Sequence, residues 1–143
     1  MTRFYYWLHA QTQYNIHSPF LFEMYRDVLF AHLTDGERLR TGIARGDRYH
    51  EIIYKCCNHY QLAVVPNAKP ITLNYQLLTI NSQLLTSSSL SILVVDRPHA
   101  SRLDEQQWEQ LKANPDYQVS VDLYDVALLI HNPKLSPQHL LLR

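Results

Sequence analysis

Glycine is scarce in this chain, and its scarcity excludes several kinds of nucleotide site. The 143 residues include three glycines, at positions 36, 42 and 46, whereas roughly ten are usual at this length. Phosphate-cradling loops need glycine because the backbone must approach the ligand closely and adopt positive φ angles. None of the three follows an apolar strand-like run, and neither G-x-G-x-x-G nor G-x-x-x-x-G-K-[ST] occurs. Most familiar nucleotide enzymes are therefore excluded.

Cysteine and long apolar runs are equally sparse. The two cysteines, Cys56 and Cys57, are adjacent, and a disulfide between neighbours is strained. Neither C-x-x-C nor a zinc-ligand spacing is present, so we expect two reduced thiols in a helix and a cytoplasmic location. We find no secretion signal and no run of about 18 apolar residues, so we expect no membrane association.

Charge of one sign is not in excess either. Lys plus Arg and Asp plus Glu number 13 each, giving a formal net charge of +0. This balance disfavours a general electrostatic affinity for nucleic acid or anionic membranes. Hydrophobic residues make up 46% and charged residues 18% of the chain, as in globular proteins. The length predicts a single domain over residues 1–143.

Aromatic residues concentrate at the N-terminus, in a part that we predict to be helical over residues 1–60. Nine of the sixteen aromatics, including all four phenylalanines, lie within residues 1–33. A short helix is predicted over residues 2–12. Ser18 and Pro19 form a helix-start pattern for a helix running to about Leu33. Aromatics at helical spacing usually belong to the core, and the alternative is a surface that contacts a partner.

Residues 34–47 carry every glycine together with Arg38, Arg40 and Arg45. We interpret them as a mobile basic loop that connects two helices, with an anion- or RNA-binding loop as the alternative. Asp47 is expected to cap a third helix over residues 48–60.

The second part, residues 61–143, alternates between strand and helix patterns. The fold class predicted is α/β, a sheet of four to five strands with an antiparallel hairpin at its edge. Between the two strands of that hairpin lie only Tyr124 and Asp125. Asp122 belongs to the polar, solvent-facing side of an alternating strand. The predicted elements are strands at 62–65, 91–96, 117–123, 126–131 and 139–142, and helices at 73–86 and 101–113. Ser101 and Asp104 resemble a capping box that opens the second helix.

The best candidate for chemistry is the pair Asp96 and His99. Ligands in open α/β sheets bind outside the carboxyl ends of strands, and a carboxylate with a histidine three residues later can hold a metal or move a proton. The alternative is that Asp96 caps the following turn and His99 is exposed. Two polar residues are too few for a metal site, so we assign no catalytic, metal or cofactor residue. His17 is interpreted as hydrogen-bonded to the backbone before the helix start.

Several segments resemble a bacterial group of class I S-adenosylmethionine-dependent methyltransferases. Residues 17–22 (HSPFLF) are similar to its N-terminal H-S-P-F signature, and residues 96–101 (DRPHAS) to its D-D-I-H-W-S motif after the fifth strand. Further similarities lie at residues 72–75 (T-L-x-Y, a helix start), 108–112 with Pro115 (a W-x-x-I-K…P helix), 119–124 (V-T-x-D-L-F, the sixth strand) and 138–139 (Q-H). The resemblance implies a Rossmann-like sheet truncated over residues 61–143.

The departures from this pattern concern the cofactor site. In the family, a segment between the third helix and the strand at Leu62 carries three strands and the Gly-rich E-L-G-T-S-x-G loop, which holds the cofactor; this chain has no counterpart. The acidic residue expected after the fourth strand is replaced by Pro66-Asn67, and the second acid of D-D-I-H-W-S by Arg97. The resemblance thus implies a methyltransferase framework without its cofactor site.

We therefore expect a degenerate methyltransferase-like protein that has no cofactor, is non-catalytic and acts as a binding or interaction module, as a homodimer. One alternative is a methyltransferase or methyltransferase subunit that completes its cofactor site with another chain. Another is a regulator that pairs with a full-length methyltransferase paralogue. The shortened sheet should expose an edge at 62–65, which natural sheets cover, here by the aromatic N-terminal helices or by a second copy.

Overall fold

The computed structural model describes residues 1–11, 16, 18–65, 73–80 and 90–143. His17, Pro66-Asn67 and the predicted helical residues 81–86 lie outside these ranges. None of the helices in the described part has the length and apolar character needed to span a bilayer. The described elements are α1 (Arg3–His9), α2 (Pro19–Met24) with a π-helical turn (Tyr25–Leu29), α3 (Asp35–Thr41), α4 (Arg48–Tyr60), β1 (Leu62–Val65), β2 (Tyr75–Ile80), β3 (Ser91–Asp96), α5 (Arg102–Lys112), β4 (Val119–Asp122), β5 (Val126–His131) and β6 (Gln138–Leu141).

The strands form one mixed sheet, so the predicted α/β class is confirmed. Its strand order is β1-β2-β3-β5-β4-β6. The predicted hairpin is also confirmed, because β4 and β5 pair antiparallel with Asp122 opposite Ala127. Its predicted position at the sheet edge is wrong, because β5 also pairs with β3 and β4 also pairs with β6. Every other pairing is antiparallel except that of β4 with β6. The described residues contribute six strands to this sheet, not four to five.

The extra strand is β2, which corrects the predicted helix over residues 73–86. Tyr75 packs into one core while Leu78 packs into the core on the opposite face, which is the alternation of a strand. A strand covered on both faces shows consecutive apolar residues, and periodicity does not distinguish such a run from a buried helix. Pairing with both β1 and β3 satisfies the backbone hydrogen-bonding groups of this segment. This pairing favours a strand over a helix.

The predicted mobile loop over residues 34–47 was wrong for half of its length, because residues 35–41 form helix α3. Thr34 and Glu37 form a reciprocal capping box: the Thr34 hydroxyl accepts from the Glu37 N–H, and the Glu37 carboxylate accepts from the Thr34 N–H. Gly42 ends the helix with a φ of 74°, the left-handed conformation that glycine adopts without a Cβ clash. Of the residues that indicated a loop, Gly42 ends the helix, and Arg38 and Arg40 belong to the helix itself.

The sheet is covered on both faces, which positions the site described below. Helices α2 and α4 and the π-helical turn cover one face in the main core, around residues such as Ile52, Cys56 and Leu128. Helix α5 covers the other face with Trp108, which is fully buried. The predicted N-caps of α2, α4 and α5 are confirmed, as are the start and end of α4.

Strand β4 corrects the predicted outward orientation of Asp122. Ser120 and Asp122 are 2% and 3% exposed, so the polar side of this strand is buried as fully as its apolar side. They lie on the α5 face, opposite Leu129 and Ala127 of β5. The alternation of polar and apolar residues therefore marks a buried polar cluster and not a solvated surface.

The N-terminal helix is shorter than predicted and lies at the other end of the sheet from β1. It ends at His9, and Gln11 then pairs as an isolated bridge with Leu142, extending the β6 edge. The buried Tyr6 hydroxyl donates toward the carbonyl oxygens of Asp122, at 3.1 Å, and Leu142. The edge strand β1 is therefore not the strand that α1 covers.

Candidate functional site

The site is built around His99, which lies in the turn between β3 and α5. Arg97, one residue past the end of β3, has a φ of 45°, so the chain turns sharply back over the sheet. The Ser101 hydroxyl accepts a hydrogen bond from the Asp104 N–H at 3.1 Å and starts α5. This strand–turn–cap sequence fixes the His99 backbone above the ends of β3 and β4.

Both nitrogens of His99 contact carboxylates. Nε2 lies 2.6 Å from Asp122 Oδ2, and Nδ1 lies 2.9 Å from Glu105 Oε1. The side chains of His99 and Asp122 are each 4% exposed, while that of Glu105 is 30% exposed. The cluster is thus a buried ion pair with one carboxylate reaching toward solvent.

This geometry favours the charged imidazolium, because only that form donates from both ring nitrogens. Burial by itself lowers the pKa of His99, but the hydrogen bonds and charges of Asp122 and Glu105 outweigh burial, and the net pKa is raised. The Met1 ammonium hydrogen-bonds Glu105 and is the largest influence on that carboxyl, whose pKa is lowered. His99 and Glu105 are therefore both stabilised in their charged forms.

An outer layer holds this cluster in place. The Tyr124 ring stacks on the His99 ring with centroids 5.3 Å apart, and the Tyr124 N–H donates to Asp122 Oδ1 at 2.8 Å. The Arg3 guanidinium lies over the Tyr124 ring, 5.0 Å from its centroid, and also forms an ion pair with Asp125 at 3.1 Å. Helix α1 is therefore linked to the cluster through charge and ring contacts.

The structure does not bring the predicted pair together. Asp96 lies 3.7 Å from the neighbouring Arg97, while His99 is paired with Asp122 and Glu105. The alternative reading of His99 as exposed was also wrong, since burial and pairing hold its side chain. Asp122 was missed because β4 was interpreted as half-solvated, and Glu105 was missed because no local pattern in α5 relates it to His99.

A second polar pair lies on the same face of β4. Ser120 Oγ is 2.6 Å from His139 Nδ1 on the parallel neighbour β6. Ser120 is buried and His139 is exposed. Sequence reasoning identified neither residue, because serine and histidine 19 positions apart give no local signal.

One group in the described part of the chain has the spacing of metal ligands. Single ligand atoms of Glu23, Asp27 and His59 lie within 4.8 Å of one another. His59 Nε2 is already 2.8 Å from Glu23 Oε1, and Asp27 binds Arg26 at 2.8 Å. These groups satisfy one another at the surface, and we assign no metal to them.

The two carboxylates engage both ring nitrogens of His99 and leave the histidine no free nitrogen for proton transfer. A general base needs an unprotonated nitrogen within hydrogen-bond reach of a substrate, and both His99 nitrogens are engaged. Comparison with protein-family models, with curated proteins and with solved structures found no match to this chain.

Proposed function

We propose that this protein is a non-catalytic interaction module built on a truncated methyltransferase-like framework, and that its partner is a second copy of the same chain. The observation that carries the proposal is the apolar outer face of α1, where four large side chains stay more than half exposed although Arg143 lies over the Trp7 ring and His9 stacks on Tyr5.

The framework is supported by where the similar segments lie. Residues 96–101 follow β3, residues 108–112 belong to α5, and residues 119–122 form β4, in agreement with the strand, helix and strand that the resemblance assigns to them. Residues 73–75 depart from it, because they lead into β2 where the family has a helix. Most strand pairs of the described sheet are antiparallel. The proposed likeness to the family is therefore limited to the second half of the sheet.

The absence of catalysis is supported by the state of the two candidate residues. His99 is held by two carboxylates, and Asp96 lies next to the Arg97 guanidinium. The sequence also has no counterpart of the Gly-rich loop that would hold S-adenosylmethionine. A cofactor pocket needs a preformed concavity with a few placed polar groups, and the residues that supply them in the family are replaced.

The face of α1 is unusually apolar for an exposed helix. At about 100° per residue, Trp7, Phe4, Leu8 and Tyr5 cover one continuous arc of about 160°, with Tyr6 turned toward the sheet. These four side chains are 56%, 70%, 55% and 52% exposed, whereas Tyr6 is 7% exposed. Contiguous exposed apolar patches of this kind mark interaction surfaces.

The area of this face fits a two-fold contact between copies. At roughly 200 Å² for each fully exposed ring-sized side chain, the four exposed residues offer about 450 Å² per chain, or about 900 Å² in a pair. A specific interface needs about 1,000 Å² in total, so the helix and a modest rim suffice. The formal net charge of +0 removes the repulsion that would oppose self-association.

Substitution of the α1 face tests the proposal. We expect the wild-type chain to elute as a dimer in size-exclusion chromatography with light scattering at micromolar concentration, and the double variant Phe4→Ser/Trp7→Ser to elute as a monomer. Leu39→Ser is the matched control, because Leu39 is 89% exposed on α3, and it should stay dimeric. A wild-type monomer, or a double variant that stays dimeric, contradicts the proposal.

A further inference from the structure

A concave region on the helical side of the molecule is separate from the His99 cluster. It lies between the π-helical turn, α3 and the first half of α4 and encloses about 520 Å³, within the range of small-molecule sites. Its charged lining is dominated by cations, although the chain as a whole has no net charge. The residues concerned are Arg38, Arg45, Arg48 and Lys55, with the carboxylate Glu51 and the apolar Leu29, Phe30 and Ile52.

Arg38 lacks hydrogen-bond acceptors in this cavity wall. Its Nη2 donates to Glu51 Oε1 at 2.7 Å, and the two side chains are 14% and 10% exposed. Its Nε and Nη1 are buried and have no hydrogen-bond partner among the described residues. Buried donors almost always have an acceptor, and an exception requires an explanation such as an ion. The guanidinium thus has donors for an oxyanion beyond its bond to Glu51.

Lys55 and Arg48 add charge that Glu51 does not balance. The Lys55 ammonium donates to the Ala31 carbonyl oxygen, which leaves two of its three N–H groups for other acceptors. Arg48 lies against the Phe30 ring, 5.5 Å from its centroid. Burial lowers the pKa of Lys55, as expected for a cation without enough neighbouring negative charge. Three cations thus share one carboxylate.

The fourth cation lies at the rim and is already paired. Arg45 binds Asp35 at 2.8 Å, and both side chains are largely exposed. This pair contributes little to binding because water screens it. The inner wall of Arg38, Arg48 and Lys55 is therefore the part that selects a ligand.

We propose that this cavity binds a small molecule that carries a phosphoryl group. A dianionic phosphoryl group balances the surplus of positive charge better than a single carboxylate, and its three oxygens match several N–H donors at once. The apolar side chains of Leu29, Phe30 and Ile52 pack against the organic part of the ligand. This inference is independent of the dimer proposed above, because it involves no residue of α1.

Titration with phenyl phosphate tests both parts of the inference. The ¹⁵N-labelled wild-type chain is titrated at constant ionic strength with phenyl phosphate, inorganic phosphate or phenol, and the Gly46 amide at the cavity lining is followed by NMR. We expect saturable shifts with both phosphates and an affinity at least about tenfold higher for phenyl phosphate, which corresponds to about 1.4 kcal/mol. Phenol should give no saturable shift. No saturation with phenyl phosphate, or equal affinities for the two phosphates, would overturn the inference.

Single-charge variants show whether the cavity itself is responsible. Arg48→Gln and Lys55→Gln should each weaken phenyl phosphate binding about tenfold or more, since a hydrogen bond to a charged group contributes about 1.5–3 kcal/mol. Arg40→Gln is the control: Arg40 belongs to α3, does not line the cavity and donates to Tyr54 Oη at 3.2 Å. An equal loss in Arg40→Gln would attribute binding to general charge and overturn the inference. If either test variant fails to fold, the wild-type titration decides alone.

Discussion

Among individual residues, Asp122 shows how an alternating pattern can hide a buried charge. Its neighbours Val121 and Leu123 are buried on the opposite face, so the alternation of β4 is real. The polar face is buried because His99 folds over it from the β3–α5 turn and supplies a charged partner. That partner is 23 residues away and comes from a turn, and no local pattern in β4 signals it. Buried charges need such partners.

Replacing Asp122 therefore tests the buried pair. We expect Asp122→Asn to lower the free energy of unfolding by about 2 kcal/mol, because the hydrogen bond to a charged histidine is lost. Asparagine retains the Oδ1 acceptor for the Tyr124 N–H, which confines the change to the His99 side. Urea denaturation gives the measurement. Asp125→Asn is the control, since Asp125 is 45% exposed in its pair with Arg3, and it should change stability by less than about 0.5 kcal/mol. Equal effects would contradict the buried pair.

The raised pKa of His99 makes stability depend on pH. Because the folded pKa is above the unfolded value of about 6.5, the folded state binds the proton more tightly. The stabilisation is fully present below pH 6.5 and is lost as pH rises through the folded pKa. Urea unfolding between pH 5.5 and 8.5 should show this decline, and His99→Gln should remove it.

The exposed His32 offers a matched control for this titration. His32→Gln should retain the decline in stability with pH that the wild type shows. A wild-type stability that is flat or rises over this pH range would mean that His99 is not held as the imidazolium.

Among the elements, the sequence could predict those with a local stop or start signal. Ser18, Asp47 and Ser101 were recognisable as caps because each provides a hydroxyl or carboxylate before a helical pattern, and the structure places all three at N-caps. Helix α3 was missed because its glycines and arginines are typical of loops, although Thr34 and Glu37 already carried a capping-box spacing. Strand β2 was missed because it is buried on both faces of the sheet. Its apolar run therefore lacks the alternation of a half-exposed strand, and only the tertiary structure shows that it is a strand.

The Ser101 cap gives a prediction for helix α5. Ser101→Ala should destabilise the protein by about 1 kcal/mol, because the Asp104 N–H loses its acceptor. The cost affects the whole fold, since Trp108 of α5 is fully buried in the core. Thermal unfolding measures it. Ser136→Ala in an exposed loop should have no measurable effect, and a comparable loss there would show that the cap is not responsible.

For the whole molecule, the sequence predicted the α/β class and the β4–β5 hairpin because both follow from short-range patterns and loop length. It did not predict the position of α1 at the β6 edge, since that depends on the Gln11–Leu142 bridge and on Tyr6 between two strand ends. The location of the candidate cluster was predicted only in part: the turn after β3 was identified, but Asp122 was predicted to face solvent and Glu105 of α5 was not identified.

We propose a self-associating module without a cofactor, and the solution mass with and without S-adenosylmethionine tests both properties together. Sedimentation velocity at micromolar concentration should give a species of twice the 16.8 kDa chain mass, unchanged by S-adenosylmethionine, with no cofactor co-sedimenting. A single species near 16.8 kDa would contradict the interaction surface on α1. Co-sedimenting S-adenosylmethionine at micromolar concentration would instead support a methyltransferase that completes its site with another chain, and would contradict the loss of the cofactor site.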